Sequence, residues 1–83
     1  MIYLIFTIEG FTEAKQDLIE DKAELWINKD ILSDEQLVEL GTQDITINIL
    51  PELVDANNEK AIIVALDYVE KISPEKEILV EYP

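Results

Sequence analysis

Thr12-Glu13-Ala14-Lys15-Gln16-Asp17-Leu18-Ile19-Glu20-Asp21-Lys22-Ala23-Glu24-Leu25-Trp26-Ile27-Asn28 is the stretch whose reading decides how the chain folds. Set at about 100° per residue, Phe11, Ala14, Leu18, Ile19, Leu25 and Trp26 share one broad apolar face. Lys15 and Lys22 fall within that face, where their stems cover apolar surface while the ammonium groups reach water. Thr12 is a ready N-cap. The spacing predicts one helix from residue 12 to about residue 28. A second reading ends the helix near Lys22 and makes residues 23–28 a strand. Length and the unbroken period of about 3.6 residues favour the single helix.

On that helix Glu13, Asp17, Glu20 and Glu24 are spaced i, i+4, i+7, i+11. They fall within about 60° of one another, opposite the apolar face, with Asp21 beside them. The row spans about 16 Å, one charge every ~4–5 Å. One strand of duplex DNA carries a phosphate about every 3.4 Å. The plain reading is a solvated helix face. Yet a face chosen only for solubility mixes signs, with Glu–Lys pairs at i, i+4. This row repeats like charge at that spacing, which costs stability and points to a contact surface for a cationic partner. Asp34, Glu35 and Glu39 form a second acidic group, on a short helix. The two groups together are the expected partner-binding residues. Trp26 and Tyr3 or Tyr82, if partly exposed, would be anchors at the edge, although core packing is the plainer role for Trp26.

Outward from this stretch, residues 2–8 read as a strand dominated by β-branched and aromatic side chains. Both faces are apolar, which predicts a central position, and Gly10 ends it. Ser33-Asp34-Glu35-Gln36 is a capping box, with Leu32 and Leu37 as its hydrophobic staple. Gly41 is expected in the left-handed conformation, ending a helix over 34–40. Residues 43–50 form a strand in which Ile45, Ile47 and Ile49 alternate with polar residues, and Pro51 stops it. Asp55-Ala56-Asn57-Asn58 offers N-caps for a helix to about Ile72, closed by Ser73-Pro74. Residues 77–82 form the last strand, with Ile78, Val80 and Tyr82 on one side. The expectation is a single small domain, residues 1–83, of the α+β or α/β class. Its order is β-α-α-β-α-β, with a three-stranded, mainly parallel sheet packed against helices.

The residue types present exclude much chemistry. The 83 residues carry 19 acids and six lysines, for a net charge of −13, with neither cysteine nor histidine nor arginine. No side chain has an ordinary pKa near neutrality, no thiolate nucleophile exists, and no bidentate phosphate clamp can form. Ser33 and Ser73 are explained as a helix cap and a pre-proline stop. A zinc site would have to be all carboxylate. Asp55-x-Asn57-x-Glu59 opens like a calcium loop, but Lys60 and Leu66 stand where the turn glycine and the bidentate glutamate belong. The expectation is therefore neither an enzyme nor a metal or cofactor protein. The apolar N-terminus lacks a basic region and a cleavage site, so it reads as a strand rather than a signal peptide. The absence of cysteine favours a reducing, cytoplasmic compartment. The charge repels nucleic acid and anionic membrane directly and attracts basic proteins.

Size and charge are shared with acyl carrier proteins, but those are all-helical and carry an Asp-Ser-Leu motif, whereas here Leu32-Ser33-Asp34 runs in reverse. In element order and acidity the chain resembles barstar, a ribonuclease inhibitor. That likeness is architectural and carries no residue across. It implies an acidic protein of the inhibitor or immunity type, or a nucleic-acid mimic, that covers the basic surface of a nuclease or nucleic-acid-binding protein. The alternatives are an assembly module that forms a homodimer through a sheet edge, and a cation binder built on carboxylates.

Overall fold

The computed structural model describes residues 1–74 and 76–81. The elements are β1 (Ile2–Ile5), α1 (Ile8–Asp21), β2 (Glu24–Ile27), α2 (Asp34–Gly41), β3 (Thr46–Ile49), α3 (Glu59–Ile72) and β4 (Ile78–Val80). The strands form one sheet in the order β3-β2-β1-β4, and every pairing is parallel. The expected class holds, an α/β domain with a parallel sheet against helices, but the sheet has four strands rather than three.

The additional strand lies in the stretch read as one continuous helix. α1 stops at Asp21, and Lys22 takes a left-handed conformation (φ 48, ψ 46). The Lys22 and Ala23 amides then donate to the Ile19 and Leu18 carbonyls, closing a Schellman turn. Ala23 packs in the same cluster as Leu18, the apolar contact that accompanies such a turn. Leu25, Trp26 and Ile27 then run through the sheet with both faces covered, where β-branched and aromatic side chains pack well. The helix also begins earlier than expected. Thr7, not Thr12, is its N-cap and accepts from the Gly10 amide. Ile8 and Gly10 belong to this first turn, so the first strand ends at Ile5. The Thr12 hydroxyl donates back to the Ile8 carbonyl within the helix.

α2 carries the expected capping box, with the Ser33 and Gln36 side chains each bonded to the other's backbone amide. Gly41 is not its left-handed terminator. It closes the helix in ordinary helical conformation, and the left-handed residue of that turn is Asp44, at φ 65. α3 is capped by Asn58, whose side chain accepts from the Ala61 amide.

Two apolar clusters sit on opposite faces of the sheet. On one face Phe11 and Leu18 of α1 and Leu40 of α2 cover Tyr3, Ile5, Leu25 and Ile27. On the other, Ile62, Ala65 and Val69 of α3 cover Ile2, Leu4 and Trp26. β1 is buried throughout, as its two apolar faces predict. Each fully buried Leu or Ile contributes about 2 kcal/mol. Trp26 stacks edge-on against Tyr68, with centroids 5.7 Å apart. At the C-terminal ends of the strands Asn28, 2% exposed, joins three connections. Its amide donates to the Phe6 and Val54 carbonyls, and its oxygen accepts from the Lys29 and Val54 amides. No helix of the described residues is long and apolar enough to cross a membrane.

Candidate functional site

The chain builds the sheet outward from β1 in two directions. α1 and α2 carry it to β2 and β3 over one face, and α3 carries it to β4 over the other. Next to β1 on the α1 face, α1 covers the strands toward β2, while β4 is left open. The result is a groove of about 620 Å³ between α1 and β4. Its floor is Tyr3, Ala14 and Leu79, and Glu9, Glu13 and Glu81 stand on its rim. Leu79 is 46% exposed there.

The α1 acids border this groove unequally. Gly10 meets Glu81, at the end of β4, and Asp21 accepts a 3.1 Å bond from the Tyr3 hydroxyl. The side of α1 carrying Gly10, Ala14, Asp17 and Asp21 therefore faces β1 and β4. Glu13 lines the groove at the same side, while Glu20 points further out to solvent. Burial, first of all, then the Asp21 bond and the charges of Asp21 and Asp17, hold the Tyr3 phenol above its ordinary 10.0.

Among the described residues the ion pairs are Lys15–Glu39, Lys22–Asp44, Lys71–Asp67 and Lys76–Glu24. Glu13, Asp17, Glu20 and Asp21 take part in none of them and are exposed. The expected ridge thus keeps these residues together on α1 but loses Glu24. That residue sits on β2 with its side chain 15% exposed and is held internally. Its carboxylate accepts from Trp26 Nε1 and Asn48 Nδ2 at 3.1 Å and from Lys76 Nζ at 2.7 Å. Glu39 is bound by Lys15 between α1 and α2, on the side of α1 turned away from the groove. Asp34 and Glu35 are exposed in the first turn of α2, where they suit the helix dipole. The second acidic group therefore does not extend the groove wall. Trp26 and Tyr3 are buried and offer no exposed anchor, and Tyr82 lies outside the described residues.

Residues that sequence reading overlooked close the groove at its upper end. Glu81 accepts from the Phe6 and Thr7 amides and from the Thr7 hydroxyl, at 2.7, 3.0 and 2.5 Å. Thr7 in turn caps α1. A Cβ on Gly10 would collide with the Glu81 carboxylate, so glycine is what lets β4 approach the helix. In open α/β sheets this crevice, where the strand order reverses, is where anionic ligands commonly sit against a helix N-terminus. Here the protein's own carboxylate fills it. No local sequence signal links Glu81 to Thr7, because the pairing spans 74 residues.

A second apolar groove, about 490 Å³, runs between α3 and the segment after β3. Leu53, Val64 and Tyr68 are exposed along it. Its sequence signal is the run Ala61–Leu66, whose apolar residues exceed one helix face. Among the described residues no cluster of acids is placed to hold a metal ion.

The order β-α-β-α-β-α-β differs by one strand from the element order on which the likeness to barstar rested. Compared with protein-family models, curated proteins and solved structures, the chain matches none.

Proposed function

We propose that the protein is an acidic binding domain of the inhibitor or immunity type. It acts in the cytoplasm by covering the basic surface of a nuclease or another nucleic-acid-binding protein. The observation that carries this reading is the row Glu13, Asp17, Glu20 and Asp21, four exposed acids on one helix that take part in none of the ion pairs among the described residues. Like charges at i, i+4 cost α1 stability, and a cationic partner offsets that cost. The closed anion crevice at Glu81 also favours a protein partner over a nucleotide. Association is fast and weakens steeply with salt.

The test is a low-salt pull-down with the wild type beside Glu13→Gln/Asp17→Asn/Glu20→Gln/Asp21→Asn. Basic proteins retained by the wild type, lost in the neutralised variant and kept by Asp34→Asn/Glu35→Gln support the reading. Recovery of only neutral or acidic proteins overturns it. A homodimer is the second reading, favoured by two open edges, β3 and β4. Sedimentation at micromolar concentration separates the two.

A further inference from the structure

We infer that the partner binds by laying an extended, basic segment along the edge of β4, as a fifth strand beside the acidic wall of α1. This rests on the proposed function and names its site and mode. Ile2 N donates to Glu77 O, and Glu81 N donates to Leu4 O. By the alternation of a parallel ladder, Leu79 also bonds to β1, while the N–H and C=O groups of Ile78 and Val80 point outward along the edge. An incoming strand takes up those groups, as in β-augmentation.

The two sides of that edge differ, and the difference specifies the occupant. On the α1 side Glu13 lines the groove with the exposed Leu79, and Asp17 and Asp21 continue the row along the same side of α1, where Asp21 accepts from the Tyr3 hydroxyl. On the α3 side Leu66, Ile78 and Val80 line a second depression, whose charges are mixed: Glu70, the Lys71–Asp67 pair, and Lys76, which is bound to Glu24. A strand alternates its side chains between two faces, so the segment that fits is basic on alternate residues and apolar between them. The spacing agrees. Residues four apart on a helix are about 6 Å apart along its axis, and alternate residues of a strand are about 6.6 Å apart. Glu13, Asp17 and Asp21 therefore match three successive alternate lysines or arginines on a strand running alongside α1. A second copy of this chain is a poor occupant, because it brings another −13 charge to the same edge.

The probe is a capped eight-residue peptide alternating lysine and valine, measured by fluorescence anisotropy at low ionic strength. A peptide alternating lysine and proline carries the same charge, but it lacks the N–H at every second residue and favours polyproline II geometry, which does not alternate side chains between two faces. Val80→Pro removes an outward amide without breaking a bond to β1, and Ile49→Pro is the matching change on the β3 edge. Thermal melts verify that each variant folds. Leu79→Lys, which places a positive charge in the groove, is the second variant should Val80→Pro not fold.

The lysine–valine peptide is expected to bind the wild type and Ile49→Pro alike. Binding is expected to weaken about tenfold or more in Val80→Pro and in Leu79→Lys, and the lysine–proline peptide to bind the wild type about tenfold more weakly. Equal binding of the two peptides, or no loss in Val80→Pro and Leu79→Lys, overturns the strand mode and leaves the acidic docking surface standing. No binding of either peptide to the wild type removes both. A wild-type dimer that Val80→Pro dissociates makes a second copy the occupant and overturns the inference.

Discussion

Replacing Asn28 with aspartate keeps the shape of a buried side chain and reverses half of its hydrogen bonding. The Asn28 amide donates to the Phe6 carbonyl at 3.0 Å and to the Val54 carbonyl at 2.7 Å. A carboxylate there would set two oxygens against two carbonyl oxygens at a site that is 2% exposed. The variant escapes by protonating. From an unfolded carboxyl near 3.9, protonation at pH 7 costs about 1.36 × 3.1, or ~4 kcal/mol. The neutral acid donates to one carbonyl and leaves the other unpaired, for about 1 kcal/mol more. The total of ~5 kcal/mol rivals the whole stability of such a domain. The sign follows from linkage. The folded-state carboxyl binds its proton more tightly than the unfolded one, so the protonation part of the penalty is absent below about pH 3.9 and grows as pH rises, while the cost of the unpaired carbonyl stays constant. Urea unfolding followed through Trp26 at pH 7, 6 and 5, with the wild type in parallel, should show the gap narrowing by about 1.4 kcal/mol per pH unit. Asn28→Ala should show a gap that does not depend on pH. A loss under about 1 kcal/mol at pH 7 that stays flat to pH 5 would refute the role assigned to Asn28.

Lys22→Gly should stabilise the protein by about 1 kcal/mol in urea melts, since the left-handed residue after α1 has φ 48 and its ion pair with Asp44 is exposed. Glu81→Ala should cost about 2–3 kcal/mol by freeing the Phe6 and Thr7 amides, while Gly10→Ala should destabilise by displacing the same carboxylate. In an absorbance titration Tyr3 should ionise above 10.0, and Asp21→Asn should bring it down. Its contribution to stability is complete below pH 10 and is lost as pH rises through the folded value; a Tyr3 that ionises at the ordinary value contradicts its part-buried bond to Asp21.

What the sequence made legible was local. Ser33 and Gln36 are three residues apart, and each bonds the other's amide, so the pattern states its own geometry. The two apolar faces of β1 placed it at the centre. The end of α1 was hidden because its usual marker is missing: a lysine, not a glycine, takes the left-handed turn. Leu25-Trp26-Ile27, covered on both faces, shows no alternation and keeps the helical period by chance. The start of α1 was obscured because Ile8 continues the apolar run of β1. Glu24 looked like one of a row because its partners, Asn48 and Lys76, lie 24 and 52 residues away. Of the ridge, the members up to Asp21 stayed together, since α1 ends there, and only Glu24, on β2, was lost.

Pairing between β1 and β4 carries a consequence for birth on the ribosome. The central strand emerges before the rest of its sheet, yet its neighbour on one side is completed 75 residues later, when Glu81 reaches the Phe6 amide. At ~5–20 residues per second, β1 waits some seconds with one flank bare. During that interval nascent chains on neighbouring ribosomes could join strand to strand. Dense negative charge keeps them apart, so the same carboxylates serve as insulation for an unfinished sheet.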